Sequence, residues 1–131
     1  MMKIMVHPAR ILLGLIFMIF GLNGFYTFIP VPEFHPFMQI MVSSGFIYFE
    51  KFIEVAGGIL LLANRFVLLA LLILGPVVVN ILLYHMLMDP RNWPIAFVNL
   101  FLYGYLLWSY RQYFLIFLMA KPRPSGDQDQ R

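Results

Sequence analysis

The chain has 131 residues, of which 62% are hydrophobic and 11% charged, with a mean hydropathy of +0.84. Soluble domains are about 45–50% apolar and about 25% charged, so this composition is typical of a membrane protein. The chain has no cysteine, which excludes disulfides and thiolate metal sites within it, and its basic residues are too scattered for nucleic-acid binding. The length suits one bundle over residues 1–120, followed by a polar tail, 121–131, that we expect to be disordered.

The first predicted transmembrane helix covers Pro8–Ile29. No charged residue occurs between Ile11 and Pro32, and about 20 apolar residues suffice to cross a ~30 Å hydrocarbon core. A secretory signal is the alternative interpretation. It is disfavoured because the apolar core is too long for a signal and no small-residue cleavage site follows it.

Three more spans are predicted over residues 45–63, 66–88 and 94–111. Prolines in the connection 30–44 prevent a continuous helix there, although 37–42 can form a short interfacial turn. Residues 64–65 form a polar turn, and residues 89–92 end the third span. The continuation of the fourth helix to Met119 is rich in Tyr and Phe beside a charge, so we expect it to lie at the membrane interface.

The distribution of lysine and arginine predicts the orientation. Most lysines and arginines fall on one side of the four predicted spans. The opposite side receives only Arg91, and Lys51 lies inside a span. Cytoplasmic loops carry the excess of Lys and Arg, and four spans return the chain to its starting side. We therefore predict an all-α integral membrane protein, a four-transmembrane-helix bundle of the bacterial inner membrane, with both termini cytoplasmic. The basic residues on the predicted cytoplasmic side are Lys3, Arg10, Arg65, Arg111, Lys121, Arg123 and Arg131.

The second span contains three charged residues, Glu50, Lys51 and Glu54. A charge at the middle of a bilayer costs roughly 2.5–3.5 kcal/mol on insertion scales, so these side chains need partners or water. Since a helix turns about 100° per residue, Glu50, Glu54 and Gly57 share one stripe, and Lys51 lies beside it at i,i+3 from Glu54. Gly57 lacks a side chain, so another helix or a ligand can approach there.

The helical rise places polar side chains from all four spans in the outer half of the membrane. Their predicted depths run from about 5 Å to about 13 Å below the outer ends of their helices. The inner half of each span is almost purely apolar. The sequence therefore predicts a polar pocket between the helices, open to the extracytoplasmic side or the outer leaflet. Its candidate residues are Asn23, Glu50, Lys51, Glu54, Asn80, Tyr84, His85, Asn99 and Tyr103.

The same residues also suit a structural interpretation. Asparagines and a Lys–Glu pair inside a bundle often bind helices together, at about 0.6 kcal/mol per interhelical bond, and this reading fits Asn23 and Asn99. For Glu54 a functional role is favoured, because an intramembrane carboxylate is by default a candidate site. A metal site is not predicted, since no histidine is spaced three or four residues from a Glu or another His.

Three segments together resemble the DoxX family of small four-helix membrane proteins: RILLGLIFMIFGLNGF, KFIEVAGGILLLANRF and LGPVVVNILLYHMLMDP. The resemblance covers roughly Ala9 to Pro90. It depends on the order of E-x-x-G-G-x-L-L-L and P-x-x-x-N-x-x-x-x-H. On this resemblance the family's acidic position falls on Glu54, its glycines on Gly57 and Gly58, and its Asn and His on Asn80 and His85.

The resemblance implies an accessory role in a membrane redox system, since the family is named for a subunit of a thiosulfate:quinone oxidoreductase. The first hypothesis is that the pocket binds a lipophilic ligand such as a quinone. Glu54 and His85 would exchange protons with the ring oxygens, Asn80 would orient the ring, and Lys51 would pair with Glu54. The protein would then be at most a quinone-linked oxidoreductase subunit, with a redox partner protein supplying electrons.

The second hypothesis is non-enzymatic: the polar layer is structural or binds partners, and the protein is a membrane assembly factor or receptor. The resemblance also allows this, since distant four-helix relatives of the family look like cargo receptors or assembly chaperones. A small transporter or proton pathway fits less well, because a conduit needs a continuous polar route and the inner half is apolar. A homo-oligomer could supply such a route, and the sequence leaves this open.

Overall fold

The computed structural model describes residues 2–26, 36–88 and 93–128. These ranges contain helices and turns but no β-strand, which confirms the prediction of an all-α protein. The elements are α1 (Met2–Phe25), α2 (Pro36–Ser44), α3 (Phe46–Ala63), α4 (Val67–Leu87), α5 (Trp93–Ser109), α6 (Arg111–Phe114), a 3₁₀ turn (Leu115–Leu118) and α7 (Ser125–Gln128).

The helices α3, α4 and α5 begin and end within two residues of the predicted spans. In contrast, α1 begins at Met2 rather than at Pro8. Proline is most common in the first turn of a helix. Inside α1 it removes only the amide donor for the carbonyl of Ile4, so the helix continues through it. The predicted end at Ile29 lies outside the described residues.

Two polypeptide turns connect the helices through left-handed backbone conformations. Gly45, with φ 82°, separates the short α2 from α3. Asn64, with φ 55°, ends α3, and its amide bonds the carbonyls of Leu60 and Leu61. Asparagine tolerates this conformation and is a common residue at such helix ends, so the polar turn predicted at residues 64–65 is where α3 stops.

The four long helices pack in a ring in which α1 contacts α3 and α5, and α4 contacts the same two helices. Neighbours run antiparallel. Gly14, in the middle of α1, lies against Gly58 of α3, whereas Gly24, near the end of α1, lies against the earlier residue Lys51. The chain therefore passes up and down the ring in the order α1, α3, α4, α5.

Glycines bring α1 and α3 into close contact. A Cβ atom on Gly58 would lie 2.8 Å from both the carbonyl oxygen of Gly14 and the amide nitrogen of Met18. Both of those atoms belong to the backbone, which cannot move aside as a side chain can. Small residues at helix interfaces permit this approach, especially where packing rather than the hydrophobic effect holds helices together.

The apolar core fills one half of the ring. Its residues come from the middle of α1, the last turn of α3, the first three turns of α4 and the last turn of α5. The buried polar residues of α3 and α5 come from the other half. The buried core residues are Leu13, Phe17, Leu61, Ala70, Leu71, Leu74, Val77, Val78 and Leu106.

Two helices are long and apolar enough to cross a membrane, over Met5–Phe25 and Val67–Leu87. In their most apolar stretches only 33% and 28% of the residues are buried, whereas the core helix of a soluble protein is mostly buried. Helix α5, with 17 residues, is shorter, and α3 carries three charged residues. Large apolar side chains thus cover much of the outer surface of the described chain.

Candidate functional site

The centre of the candidate site is an ion pair on α3. Lys51 Nζ lies 3.0 Å from Glu54 Oε2, as the i,i+3 spacing predicted. Glu54 is only 2% exposed, and the Lys51 ammonium is the described charged partner of its carboxylate. A buried carboxylate needs such compensation, because transfer of an unpaired charge out of water is strongly unfavourable.

The path of the Lys51 side chain depends on a glycine that the sequence analysis did not select. A Cβ atom on Gly24 would lie 2.4 Å from Lys51 Cγ and 2.6 Å from Cδ. The aliphatic part of Lys51 therefore crosses α1 where Gly24 leaves room. Gly24 follows Gly21 and Gly14 on one stripe of α1, and this spacing of small residues is the sequence signal that could have revealed it.

A second polar contact joins α3 to α4 nearer the end of the bundle. Asn80 Nδ2 donates to Glu50 Oε1 at 3.4 Å. Glu50 is half-buried and Asn80 is exposed, so this contact lies on the outer side of the α3–α4 seam. Asn80 was expected to point into the pocket. Instead it lies at the surface of the described chain.

Asn23 of α1 and Asn99 of α5 are both buried. Asn99 is 4% exposed, and its Oδ1 has no hydrogen-bond partner among the described residues. An unsatisfied buried acceptor is costly, by about 1–3 kcal/mol, so it calls for a donor from water or a ligand. Together with Glu54, these two asparagines are the part of the predicted polar layer that faces the interior.

The predicted residues on α4 near its end, Tyr84 and His85, are half-buried and contact each other edge to face at 5.3 Å between ring centroids. Phe37 of α2 lies 6.1 Å from the Tyr84 ring. Helix α2 thus packs over the end of α4 as well as against α3, and it forms part of the wall at this end of the bundle.

The remaining predicted residues, Tyr103 and Gly57, make packing contacts in the apolar half. The Tyr103 hydroxyl donates to the carbonyl of Leu71 at 2.6 Å and lies over Gly75, where a Cβ would approach it to 2.8 Å. At Gly57 the free space is taken by Leu74 of α4. The sequence left open whether a helix or a ligand approaches Gly57, and in the structure it is helix α4 that does so.

The helical register separates the two residues predicted to exchange protons. Glu50 lies opposite Asn80, Glu54 lies four residues beyond Glu50, and His85 lies five residues from Asn80 in the other direction. At about 1.5 Å per residue, Glu54 and His85 are therefore about 13 Å apart along the bundle axis. They can serve opposite ends of one ligand but not the same atom.

Comparison of the chain with protein-family models, with curated proteins and with solved structures gave no match. The resemblance to the DoxX family therefore depends only on the residues quoted above.

Arg10 is a further buried charged residue that sequence reasoning assigned only to the basic start of the chain. It is 6% exposed, and its Nη1 donates to the carbonyls of Leu61 and, at 3.4 Å, Leu62. Its Nη2 lies 3.4 Å from His7 Nδ1. A cation at the C-terminus of a helix interacts favourably with the helix dipole, so Arg10 closes the end of α3 opposite to the ion pair.

Proposed function

We propose that the protein is an integral membrane protein in which α1, α3, α4 and α5 span the bilayer. The supporting observation is the outward-facing apolar surface of α1 and α4. Helix α5 has 17 residues, at the lower limit for a span, and α3 has 18. The charges of α3 face Gly24, each other and Asn80, which reduces the cost of placing them in a membrane.

The polar half of the bundle, on this proposal, binds a lipophilic small molecule with a polar head, of which a quinone is the best example. The observation that carries the proposal is the Lys51–Glu54 pair, buried in the same half of the bundle as the Asn99 oxygen that lacks a hydrogen-bond partner among the described residues. Glu54 and Asn99 lie at similar heights along the bundle. Glu54 is about one turn from Gly57, which contacts Leu74 of α4. Asn99 is one turn from Tyr103, which contacts Leu71 of the same helix.

The chemistry that these groups offer is proton transfer and orientation. Quinone reduction consumes protons as well as electrons, and the Lys51 ammonium can pass a proton to the paired Glu54 carboxylate, which in turn delivers it to a ring oxygen. His85 would act at the opposite oxygen, nearer the end of the bundle. The chain would be an accessory subunit of a membrane redox system of the DoxX type, and its electrons would come from a redox partner protein.

Quinone binding tests the proposal directly. The full chain in lipid nanodiscs is titrated with a short-chain ubiquinone, and binding is followed by the fluorescence of its tryptophans. We expect saturable binding that weakens at least tenfold in Glu54→Gln and is unchanged in Gly104→Ala, whose added Cβ meets nothing within 4 Å. Absence of saturable binding to the native chain would refute the quinone proposal.

The second candidate function is that of a membrane assembly factor or receptor with a structural polar layer. It is favoured by the contacts already made inside the protein, since Lys51 pairs with Glu54, Glu50 with Asn80, and Tyr103 with Leu71. In that case Glu54→Gln would leave the bound lipophilic molecules unchanged and alter the proteins that co-purify. Mass spectrometry of both fractions from the same preparation separates the two functions.

A further inference from the structure

The end of the bundle opposite to the Glu50–Asn80 contact is basic. The start of α1, the turn after α3 and the end of α5 all lie there, because neighbouring helices are antiparallel. Residues 1–32, 55–88 and 93–126 contain no Asp or Glu. The acidic residues after residue 126 are Asp127 and Asp129, in the tail. We call this the basic end. Its described basic residues are Arg10, Arg65, Arg111, Lys121 and Arg123.

A run of apolar side chains projects from the chain at the basic end. The five residues Leu115–Met119 are between 53% and 78% exposed, which leaves a contiguous apolar patch. The segment is not a loose tail, because Tyr110 and Phe114 just before it pack against the apolar core, and Phe117 contacts the Phe114 ring at 6.1 Å. A patch of this kind held in place needs an apolar environment.

The residues on both sides of the patch are those of a membrane interface. Arg111 lies over the Trp108 ring, 4.3 Å from its centroid, and donates to the Trp108 carbonyl at 2.9 Å. Lys121 and Arg123 follow the patch and are exposed. Aromatic rings and basic side chains around an apolar stretch match a bilayer surface, where the apolar groups enter the acyl boundary and the cations meet lipid phosphates.

We propose that residues 111–123 lie on the surface of a bilayer leaflet that contains anionic phospholipids, with Leu115–Met119 in the acyl boundary and Lys121 and Arg123 on the headgroups. The occupant is a lipid surface rather than a protein because the flanking charges have one sign, and anionic lipids attract each nearby basic residue. This inference needs the membrane placement proposed above but not the quinone site.

The absence of cysteine makes the test direct, since a single introduced cysteine can carry a spin label. Leu118→Cys is labelled in the full chain and placed in nanodiscs of phosphatidylcholine alone or mixed equally with phosphatidylglycerol. We expect the label to be in contact with lipid, and the ratio of embedded to water-exposed label to be higher with phosphatidylglycerol and to fall at high salt. Lys121→Gln with Arg123→Gln should lower that ratio by up to about thirtyfold. The charge-conserving Lys121→Arg with Arg123→Lys should retain it.

A label at Leu72→Cys, on the exposed side of α4, reports separately whether that helix lies in the bilayer. If the Leu72 label is in lipid while the Leu118 label is in water in both lipid mixtures, the proposal for residues 111–123 is wrong and the spanning bundle stands. Equal embedding in both mixtures, or embedding only in nanodiscs with two copies of the chain, would also overturn it.

Discussion

At the scale of single residues, the most consequential side chain is Glu54, a carboxylate in the interior whose described partner is Lys51. Breaking a buried pair by removing one partner costs about 3–5 kcal/mol, whereas replacing both partners can be nearly neutral. The pair therefore behaves as a unit, and its two members should be substituted both singly and together.

Lys51→Met keeps a long apolar side chain over Gly24 and removes the charge. We expect it to lower the free energy of unfolding by about 3 kcal/mol, because Glu54 then has no compensating cation. Adding Glu54→Gln should recover most of that loss. The measurement is chemical unfolding in detergent micelles followed by circular dichroism. Simply additive losses in the double variant would show that the two side chains are not energetically coupled.

Arg10 should matter more than its place among the terminal basic residues suggests. Arg10→Met removes a charge-assisted hydrogen bond to the carbonyl of Leu61, worth about 1.5–3 kcal/mol, and a longer contact to the carbonyl of Leu62. We expect a loss of about 2 kcal/mol in the same unfolding measurement. Arg65→Gln, at an exposed position of the same end, should change stability by less than about 0.5 kcal/mol. Equal effects of the two substitutions would mean that Arg10 contributes only its charge.

The sequence predicts the Lys51–Glu54 contact but not the contact of Arg10 with the end of α3. Residues three apart on a helix face each other, so the Lys51–Glu54 pair follows from spacing alone. The contact of Arg10 joins residues that are far apart in the chain, and nothing local distinguishes Arg10 from the exposed Arg65.

At the scale of the helices, the closest contact is the glycine seam between α1 and α3. It fixes the height of Glu54 relative to Gly21, whose added Cβ would meet Val55 and Glu54 at 2.7–3.1 Å. The seam therefore positions the site as well as holding the two helices together.

Gly58→Ala should force α1 and α3 apart, because its Cβ would collide with backbone atoms at 2.8 Å. Overpacking of this kind typically costs 1–3 kcal/mol, and we expect a lower Tm together with weaker ligand binding. The matched control is Gly104→Ala, in a helix interior with no neighbour within 4 Å, which should leave Tm unchanged or raise it. A Gly58→Ala protein as stable as the control would mean that the helices do not approach this closely.

The extents of α3, α4 and α5 were predictable because polar turns and prolines interrupt the apolar runs. The sequence did not predict which side of each helix faces the interior. Helix α4 is apolar on nearly all sides, so its sequence does not indicate which side packs inward, and Asn80 lies outside although Asn23 and Asn99 lie inside. Helical rise predicts depth along the bundle, whereas only packing determines the rotation of each helix.

At the scale of the whole molecule, the bundle has an apolar half next to the basic end and a polar half around Glu54. Buried polar groups reduce stability unless they are paired, and the Asn99 oxygen, which has no partner among the described residues, is a specific cost of this kind. A bound polar head in the same half would offset that cost. This is the reason to expect a ligand, and it is the central claim about the molecule.

Native mass spectrometry of the chain purified in mild detergent tests that claim most directly. We expect a retained lipophilic molecule of defined mass on the native protein, and its loss from Glu54→Gln at unchanged helix content and Tm. A native protein that carries no such molecule, or a Glu54→Gln protein that carries the same one in the same amount, would contradict it.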